Sequence, residues 1–228
     1  MRGPLSLPLP RRLRQLVLAN YACPGNRTGH LARLAFRLAS HEQQHASRLC
    51  AEACIDLLPA ATPASPATCL EVGFGAGHAL AELRRLRPVG ELRLLGVDAS
   101  SLALKLATAQ LGIEPDNAKL FHCQADDLLP VATGSCNLVA QVNCFGVLPR
   151  AQLAGACREA YRVLRPDGRL VAVADCWLTS RLVAELGRPD LLDSLAALEA
   201  AGFSRLKHSR RQCRLTGRPL HLVTAEVR

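Results

Sequence analysis

Apolar residues after position 68 occur in short continuous runs that alternate with helical patterns. The runs are TCLEVG, LRLLGVDA, AKLFHCQA, CNLVAQVNCF and RLVAVADC, beginning at residues 68, 92, 118, 136 and 169. Helical patterns begin between them at Ala76, Ser100 and Arg150. Continuous apolar strands that alternate with helices are typical of a parallel sheet covered on both faces. The pattern therefore predicts a doubly wound α/β fold.

The end of the chain has a different pattern. LEAAGFSRLKHSRR, which starts at Leu198, ends a helix at Gly202 and opens a strand, and TGRP then leads into LHLVTAEV. Glycine commonly ends a helix, and two strands this close along the chain can pair as a hairpin. With these two strands the prediction becomes a mostly parallel, seven-stranded sheet with an antiparallel C-terminal hairpin.

The first sixty residues carry a helical pattern of their own. One helical stripe is formed by Leu31, Leu34, Leu38, Glu42, His45 and Leu49. The segment PAATPASPAT at 59–68 resembles a linker between this stripe and the first strand. We predict an N-terminal helical cap over residues 1–60 and an α/β domain over 65–228.

Composition favours a globular protein of a reducing compartment. Of the 228 residues 49% are hydrophobic, yet no apolar run approaches the ~20 residues that cross a bilayer. Arg11, Arg12 and Arg14 interrupt the apolar N-terminal stretch, which is not typical of a secretion signal. The ten cysteines include no Cys-x-x-Cys pair, so we interpret most as buried thiols. We predict a cytoplasmic protein without a membrane span.

The net charge of +9 raises the question of a nucleic-acid partner. Dense basic clusters occur only at 11–14, at 84–87 and in KHSRRQCR. Aromatic residues, on which bases stack, are not interleaved with them. This argues against nucleic acid and favours a solvated basic surface, although RNA remains an alternative partner.

The segment CLEVGFGAGHAL at 69–80 combines a buried strand, a glycine-rich turn and a helix start. Gly73, Gly75 and Gly77 allow a tight turn and close approach of the backbone to a ligand. The following helix N-terminus favours electron-rich groups, which predicts a nucleotide-like ligand. The dinucleotide fingerprint G-x-G-x-x-G is absent because His78 occupies the position of its third glycine.

Glu71 followed by x-G-x-G-x-G resembles the first motif of the class I S-adenosylmethionine (SAM) dependent methyltransferases. The resemblance covers about 65–228 and implies a Rossmann-like fold with SAM as cofactor. Asp98 in LLGVDAS matches the acidic residue that holds the ribose hydroxyls in this family, and Ala99 follows it. EAYRVLRPDGRLVAVA at 159–174 is similar to the family's later helix, turn and strand. The implied cofactor-binding residues are Glu71, Gly73, Gly75, Gly77, Asp98 and Ala99.

The segment FHCQADDLLPVATGSCNLVAQV resembles the family's adenine-side loop and fourth strand. The family commonly has an aspartate near the end of the third strand that accepts a hydrogen bond from the adenine amine, and the resemblance places this role on Asp126. Because the loop is one residue shorter than usual, Gln124 and Asp127 compete for the contact.

The fourth strand of this fold ends facing the transferred methyl group, and QVNCFGVLP occupies that position here. Asn143 and Cys144 are therefore candidates for contacts with the methyl acceptor. The N-P-P-[YF] signature of many nitrogen-directed nucleic-acid methyltransferases is absent, as is the Pro-Cys nucleophile of cytosine-C5 enzymes.

HEQQH at 41–45 has the spacing of a zinc peptidase, with His41 and His45 on one helix face and Glu42 between them. A zincin also needs a third ligand downstream, and none follows at a suitable spacing. We therefore predict no metal. CPGNRTGHLARLAF at 23–36 is similar to caps in the ubiquinone/menaquinone-biosynthesis-like branch, which implies that the cap lines the acceptor pocket. His45 joins Asn143 and Cys144 as a candidate catalytic residue.

These observations together predict a SAM-dependent methyltransferase that transfers a methyl group to a small-molecule acceptor by in-line displacement. One alternative is an arsenite or thiol methyltransferase that uses Cys144 and Cys176. Others are an RNA methyltransferase and a non-catalytic SAM-fold subunit. A general base is needed only if the acceptor arrives protonated. Association as a homodimer is left open.

Overall fold

The computed structural model describes residues 30–87, 90–112, 118–175, 189–212, 217 and 219–227, with backbone only for 30–42. Its seven-stranded sheet has the order β3-β2-β1-β4-β5-β7-β6. The strands are β1 (Ala67–Val72), β2 (Leu92–Asp98), β3 (Ala118–His122), β4 (Cys136–Val142), β5 (Leu164–Asp175), β6 (Ser204–Gln212) and β7 (Pro219–Glu226). The helices are α1 (His30–Leu57), α2 (His78–Leu86), α3 (Ser101–Leu111), α4 (Cys144–Val147), α5 (Arg150–Val163) and α6 (Leu191–Ala200).

The strand directions confirm the predicted architecture. β1 to β5 pair in parallel, and β7 runs antiparallel to both β5 and β6. Helices α1, α2 and α3 pack on one face of the sheet, and α4, α5 and α6 pack on the other. The central strand β1 is buried at every position because both of its faces are covered. Burial on both faces explains why the strands occur in the sequence as continuous apolar runs.

The C-terminal half of α1 is part of the core. Ala46, Cys50, Ala51 and Cys54 are at most 1% exposed and belong to the same apolar cluster as the sheet residues. Their small side chains let the helix approach β4 and β5 closely, and burial raises the pKa of the Cys54 thiol. A helical N-terminal part is therefore present, whereas the domain boundary at 60–65 stays a prediction.

The order of the strands determines where a ligand can enter. The chain proceeds outward from β1 to β2 and β3, then returns to the other side of β1 for β4 and β5. Such a reversal leaves a crevice at the carboxyl ends of the two central strands, which is where open α/β sheets bind ligands. The loops after β1 and β4 border this crevice.

The hairpin at the end of the chain forms one edge of the sheet. β6 is exposed over most of its length and carries Lys207, Arg210 and Arg211. Charged side chains on an edge strand discourage pairing with other chains. No helix in the described residues has the length and apolar character needed to cross a membrane.

Candidate functional site

The loop after β1 requires glycine for its conformation and for its packing. Gly73, Gly75 and Gly77 have φ values of 73°, 55° and 81°, in the left-handed region. A Cβ atom added to Gly73 would lie 2.7 Å from Cys144 Sγ, and one added to Gly77 would lie 3.0 Å from Ala107 Cβ. The loop therefore approaches both α4 and α3 too closely for a side chain at these positions.

Asp98 connects the end of β2 to this loop. Its Oδ2 accepts a hydrogen bond from the Gly75 amide at 2.8 Å, and its Oδ1 accepts one from the Ser100 amide at 2.8 Å. Burial raises the pKa of Asp98, and the two amides oppose that rise because they stabilise the charged form. Each carboxylate oxygen has a second lone pair, so Asp98 can still accept hydrogen bonds from a ligand.

A cleft opens between this loop and the end of β4. Seven predicted site residues line it: Gly73, Gly75, Asp98, Ala99, Gln124, Asn143 and Cys144. We call Gly73, Gly75, Asp98, Ala99 and Gln124 the glycine-loop half. We call Gln43, Asn143, Cys144, Val147, Leu148, Pro149 and Gln152 the β4 half. The two halves come from opposite sides of the topological reversal.

Glu71 lies inside the sheet rather than in the cleft lining. It is 2% exposed, and its Oε2 accepts no hydrogen bond from the described residues. Burial raises the pKa of Glu71 well above its ordinary value, and the neighbouring Cys50 and Cys69 act in the same direction. These surroundings favour the protonated carboxyl. Gly77 also lies behind the lining, where it packs on α3.

The loop after β3 separates the three candidates for the adenine contact. Gln124 lines the cleft. Asp126 packs against α5, since a Cβ added to Gly155 would lie 2.8 Å from Asp126 Cβ, and Asp127 is exposed. The residue that the sequence favoured, Asp126, is therefore turned toward α5, and Gln124 is the one with access to the cleft.

Two residues of α5 hold this loop. Glu159 Oε2 accepts a hydrogen bond from the Leu128 amide at 2.7 Å. Arg162 donates to the carbonyl oxygens of Leu128 and Val131, and it also pairs with Glu159. The hydrogen bond from Arg162 lowers the pKa of Glu159. Sequence analysis missed this clamp, although the spacing of three residues on a helix is a usable signal for the ion pair.

The end of β4 is shaped by a buried glutamine. Gln141 is 3% exposed, and its Oε1 accepts hydrogen bonds from the Cys144 amide at 2.8 Å and the Phe145 amide at 3.3 Å. Asn143, which precedes Cys144, has a left-handed backbone conformation with φ 59°. Its backbone amide donates a hydrogen bond to the Val173 carbonyl. Gln141 is a polar side chain within an otherwise apolar strand, a feature that could have indicated its buried role and that sequence analysis did not use.

Of the two cysteines in the arsenite hypothesis, the structure describes Cys144 alone. Burial raises the pKa of the Cys144 thiol far above its ordinary value, and the charge of Asp98 adds to the rise. The surroundings of Cys144 therefore favour the neutral thiol over the thiolate. Cys176 lies outside the described residues.

From α1, Gln43 lines the cleft and His45 does not. The His45 Nδ1 atom is buried without a hydrogen-bond partner among the described residues. The side chains of His41 and Glu42 lie outside the described residues. Within the described part of the chain, no three metal-ligating side chains come together. The catalytic role of His45 stays a prediction, and Gln43 is a lining residue that sequence analysis missed.

Comparison with known proteins bears on this geometry. Residues 69–168 match the profile of a family described as a methyltransferase domain. The fold is similar to the methyltransferase in complex with the Haloferax volcanii Trm112 methyltransferase activator, with a TM-score of 0.65 and 19% identity over 84% of this chain and 93% of that chain. Among proteins of curated function, none matches the chain.

Two further structures show the same fold. Geranyl diphosphate methyltransferase, in complex with GPP and sinefungin, has a TM-score of 0.59 and 17% identity over 77% of this chain and 76% of that chain. A TehB-like SAM-dependent methyltransferase from Corynebacterium glutamicum has a TM-score of 0.59 and 17% identity over 78% and 86%.

The matched segment is similar to a methyltransferase domain, and the seven-stranded sheet has the fold of the methyltransferases compared above. The glycine loop, Asp98 and the cleft that they border lie at the switch point of this sheet.

Proposed function

We propose that the protein transfers a methyl group from SAM to a small-molecule acceptor by in-line displacement. The observation that carries the proposal is the shape of the cleft. Its glycine-loop half offers a carboxylate and open backbone, and its β4 half is closed by the apolar side chains of Val147, Leu148 and Pro149. A concave, mostly apolar cavity with a few polar groups is typical of a small-molecule site.

The glycine-loop half fits the cofactor. Gly73 and Gly75 line the cleft with backbone alone, which lets a ligand approach the loop closely. Asp98, already oriented by two amides, would accept hydrogen bonds from both ribose hydroxyls. Gln124 would contact the adenine amine through its side-chain oxygen. Glu71, buried below the loop, would position it rather than touch the cofactor.

The chemistry then needs alignment more than proton transfer. SAM, when bound, supplies a methyl group that is already activated on a sulfonium. Among the described residues that line the cleft, Asp98 is the sole carboxylate, and no histidine or lysine lines it. The roles of Asn143 and Gln43 would be to orient the acceptor and exclude water, and alignment alone can be worth roughly 7–11 kcal/mol. We propose Asn143 as the residue that contacts the acceptor.

The neutral Cys144 thiol speaks against arsenite or thiol chemistry, which uses thiolates as ligands. The sequence resemblance of residues 23–36 supports the ubiquinone/menaquinone-biosynthesis-like branch within this proposal. Cytoplasmic location and a homodimer stay predictions.

The test is turnover of SAM to S-adenosylhomocysteine (SAH) with a panel of phenols, carboxylic acids, thiols and arsenite. We expect turnover with at least one organic acceptor, a large loss in Asn143→Ala, and retained turnover in Cys144→Ser. Turnover confined to arsenite or thiols and abolished in Cys144→Ser would replace the proposal by the cysteine-based reaction. Salt-sensitive methylation of RNA would replace it by a nucleic-acid reaction.

A further inference from the structure

The end of β3 is joined to the end of β2 by one backbone contact and one side-chain contact. His122, the last residue of β3, is the Cα partner of Asp98, the last residue of β2. The Cys123 amide donates a hydrogen bond to the Asp98 carbonyl at 3.2 Å. His122 Nε2 lies 2.9 Å from the Ala99 carbonyl oxygen. Any residue except proline at position 123 could make the first contact, whereas the second depends on the histidine.

The partner of the His122 ring determines where its proton lies. A carbonyl oxygen can only accept a hydrogen bond, so Nε2 carries a proton and donates it to Ala99. The neutral ring with its proton on Nε2 makes this contact, as the imidazolium does. The contact therefore needs no positive charge on His122, and an uncharged side chain with an N–H group at a similar position could replace it.

The residues that this junction connects border the cofactor cleft. Asp98 and Ala99 line it from the end of β2, and Cys123 and Gln124 line it from the end of β3. His122 is not among the described residues that line the cleft, so any effect on a bound ligand would pass through its neighbours. The two cofactor contacts proposed above, Asp98 for the ribose and Gln124 for the adenine, lie on the two strand ends that the junction connects.

β3 has little other support at this end. It is an edge strand of the sheet, and its neighbour in the described part of the chain is β2. None of its five residues is buried, whereas every residue of β1 is. The Glu159–Arg162 clamp holds the following loop from Leu128 onward. Segments with few buried contacts open locally at a low cost in free energy, so one hydrogen bond matters more to the position of residues 122–124.

We propose that His122 is a positioning residue of the cofactor site. Its Nε2–H group holds the Ala99 carbonyl and thereby fixes the spacing of Asp98 and Gln124 at which both reach the adenosine part of SAM. This rests on the proposed function, because it takes the glycine-loop half as the SAM site. His122 needs no contact with the cofactor, so it is not a catalytic residue.

The experiment is calorimetric titration of SAH into the full chain and its variants. His122→Leu removes the hydrogen-bond donor. His122→Gln keeps a donor, because the glutamine side-chain amide can place an N–H group near the position of Nε2. The matched control is Lys119→Leu, which removes an exposed polar side chain from the same strand, at a residue that is not among the described lining residues of the cleft.

A double-mutant cycle tests the route by which His122 acts. Gln124→Ala removes the proposed adenine contact, and His122→Leu is then compared in the presence and in the absence of Gln124. If His122 acts by placing Gln124 relative to Asp98, its loss has little further effect once Gln124 is gone. A side chain that only stabilises the fold would change SAH affinity by the same factor in both backgrounds.

We expect His122→Leu to weaken SAH binding roughly three- to fivefold, within the range of one hydrogen bond. His122→Gln and Lys119→Leu should stay within about twofold of wild type, and so should the effect of His122→Leu in the Gln124→Ala background. The inference would be overturned by unchanged affinity in His122→Leu, by an equal loss in His122→Gln or Lys119→Leu, or by an equal loss with and without Gln124.

The same titrations separate this inference from the proposed function. SAH binding to wild type that does not depend on His122 overturns the positioning role and leaves the proposed function intact. Absence of SAH binding to wild type overturns the proposed function and the positioning role together.

Discussion

The two halves of the cleft are built in different ways. The glycine-loop half is made of consecutive backbone after β1 and one carboxylate from β2, joined by the hydrogen bond from Gly75 to Asp98. The β4 half collects side chains from α1, α4, α5 and their flanking loops, including Gln43, Leu148 and Gln152. Local backbone geometry thus determines the first half, and long-range packing determines the second. The first should be sensitive to backbone strain and the second to lost side-chain support.

The largest effect is expected at the junction of the two halves. Gly73→Ala places a Cβ 2.7 Å from Cys144 Sγ and also forces a left-handed alanine. We expect SAH affinity to fall at least about 100-fold and stability to fall by about 1–3 kcal/mol. Titration with SAH and urea denaturation measure the two.

Gly134→Ala is the control for this prediction. Gly134 has φ +63° with nothing within 4 Å of an added Cβ, so it carries the backbone strain without the collision. Its variant should lose about 1 kcal/mol of stability and bind SAH normally. Equal SAH binding by both variants would show that the loop tolerates a side chain at position 73.

The second prediction concerns the support of the β4 half. Gln141→Leu removes the acceptor of two buried amides, those of Cys144 and Phe145. We expect a loss of about 2 kcal/mol in the free energy of unfolding, because a buried unsatisfied donor costs about 1–3 kcal/mol. Gln110→Leu, at an exposed glutamine that contacts His78, should change stability by less than about 0.5 kcal/mol. An unchanged free energy of unfolding in Gln141→Leu would mean that α4 does not depend on the hydrogen bonds to Gln141.

The third prediction tests the assignment within the glycine-loop half. Gln124→Ala should weaken SAH binding by roughly five- to tenfold, the value of one hydrogen bond to a ligand. Asp126→Ala and Asp127→Ala should stay within about twofold, since neither lines the cleft. The reverse ranking, with Asp126 dominant, would return the adenine contact to the residue that the family resemblance favoured.

The smallest expected effect is a pH dependence of the Glu159–Arg162 clamp. The folded-state pKa of Glu159 lies below its ordinary value of 4.5, chiefly because of its hydrogen bond with Arg162. The stabilisation is therefore present above the ordinary value and is lost as the pH falls through the folded-state pKa. Glu159→Gln should cost about 0.5–1 kcal/mol at pH 7, and the difference from wild type should shrink at acid pH.

Glu52→Gln is the comparison for this titration. Its partner Arg48 is exposed, and the pair bridges one turn of α1. We expect a change below about 0.5 kcal/mol at any pH. An effect of Glu159→Gln that is the same at pH 4 and pH 7 would show that the clamp acts by packing and not by charge.

The sequence predicted the fold because each of its signals is local. Apolar runs, the glycine spacing and the position of Asp98 specify strands, turn and switch point without reference to distant residues. The sequence left Asp126, Gln124 and Asp127 as candidates for the adenine contact, because the shorter loop does not fix which side chain faces the cleft. The packing of Asp126 against Gly155 depends on where α5 lies, which the sequence does not specify. Gln43 and Gln141 were missed because their roles depend on where α1 and α4 meet the sheet.

The most direct test is calorimetric titration of SAH into chelator-treated protein, with Asp98→Asn as the variant and Asp127→Asn as the matched control. We predict micromolar binding to wild type and to Asp127→Asn, and binding weakened at least tenfold in Asp98→Asn, whose amide cannot accept at both positions from Gly75 and Ser100. Absence of SAH binding, or equal binding by all three proteins, would contradict the assignment of the cleft as the cofactor site.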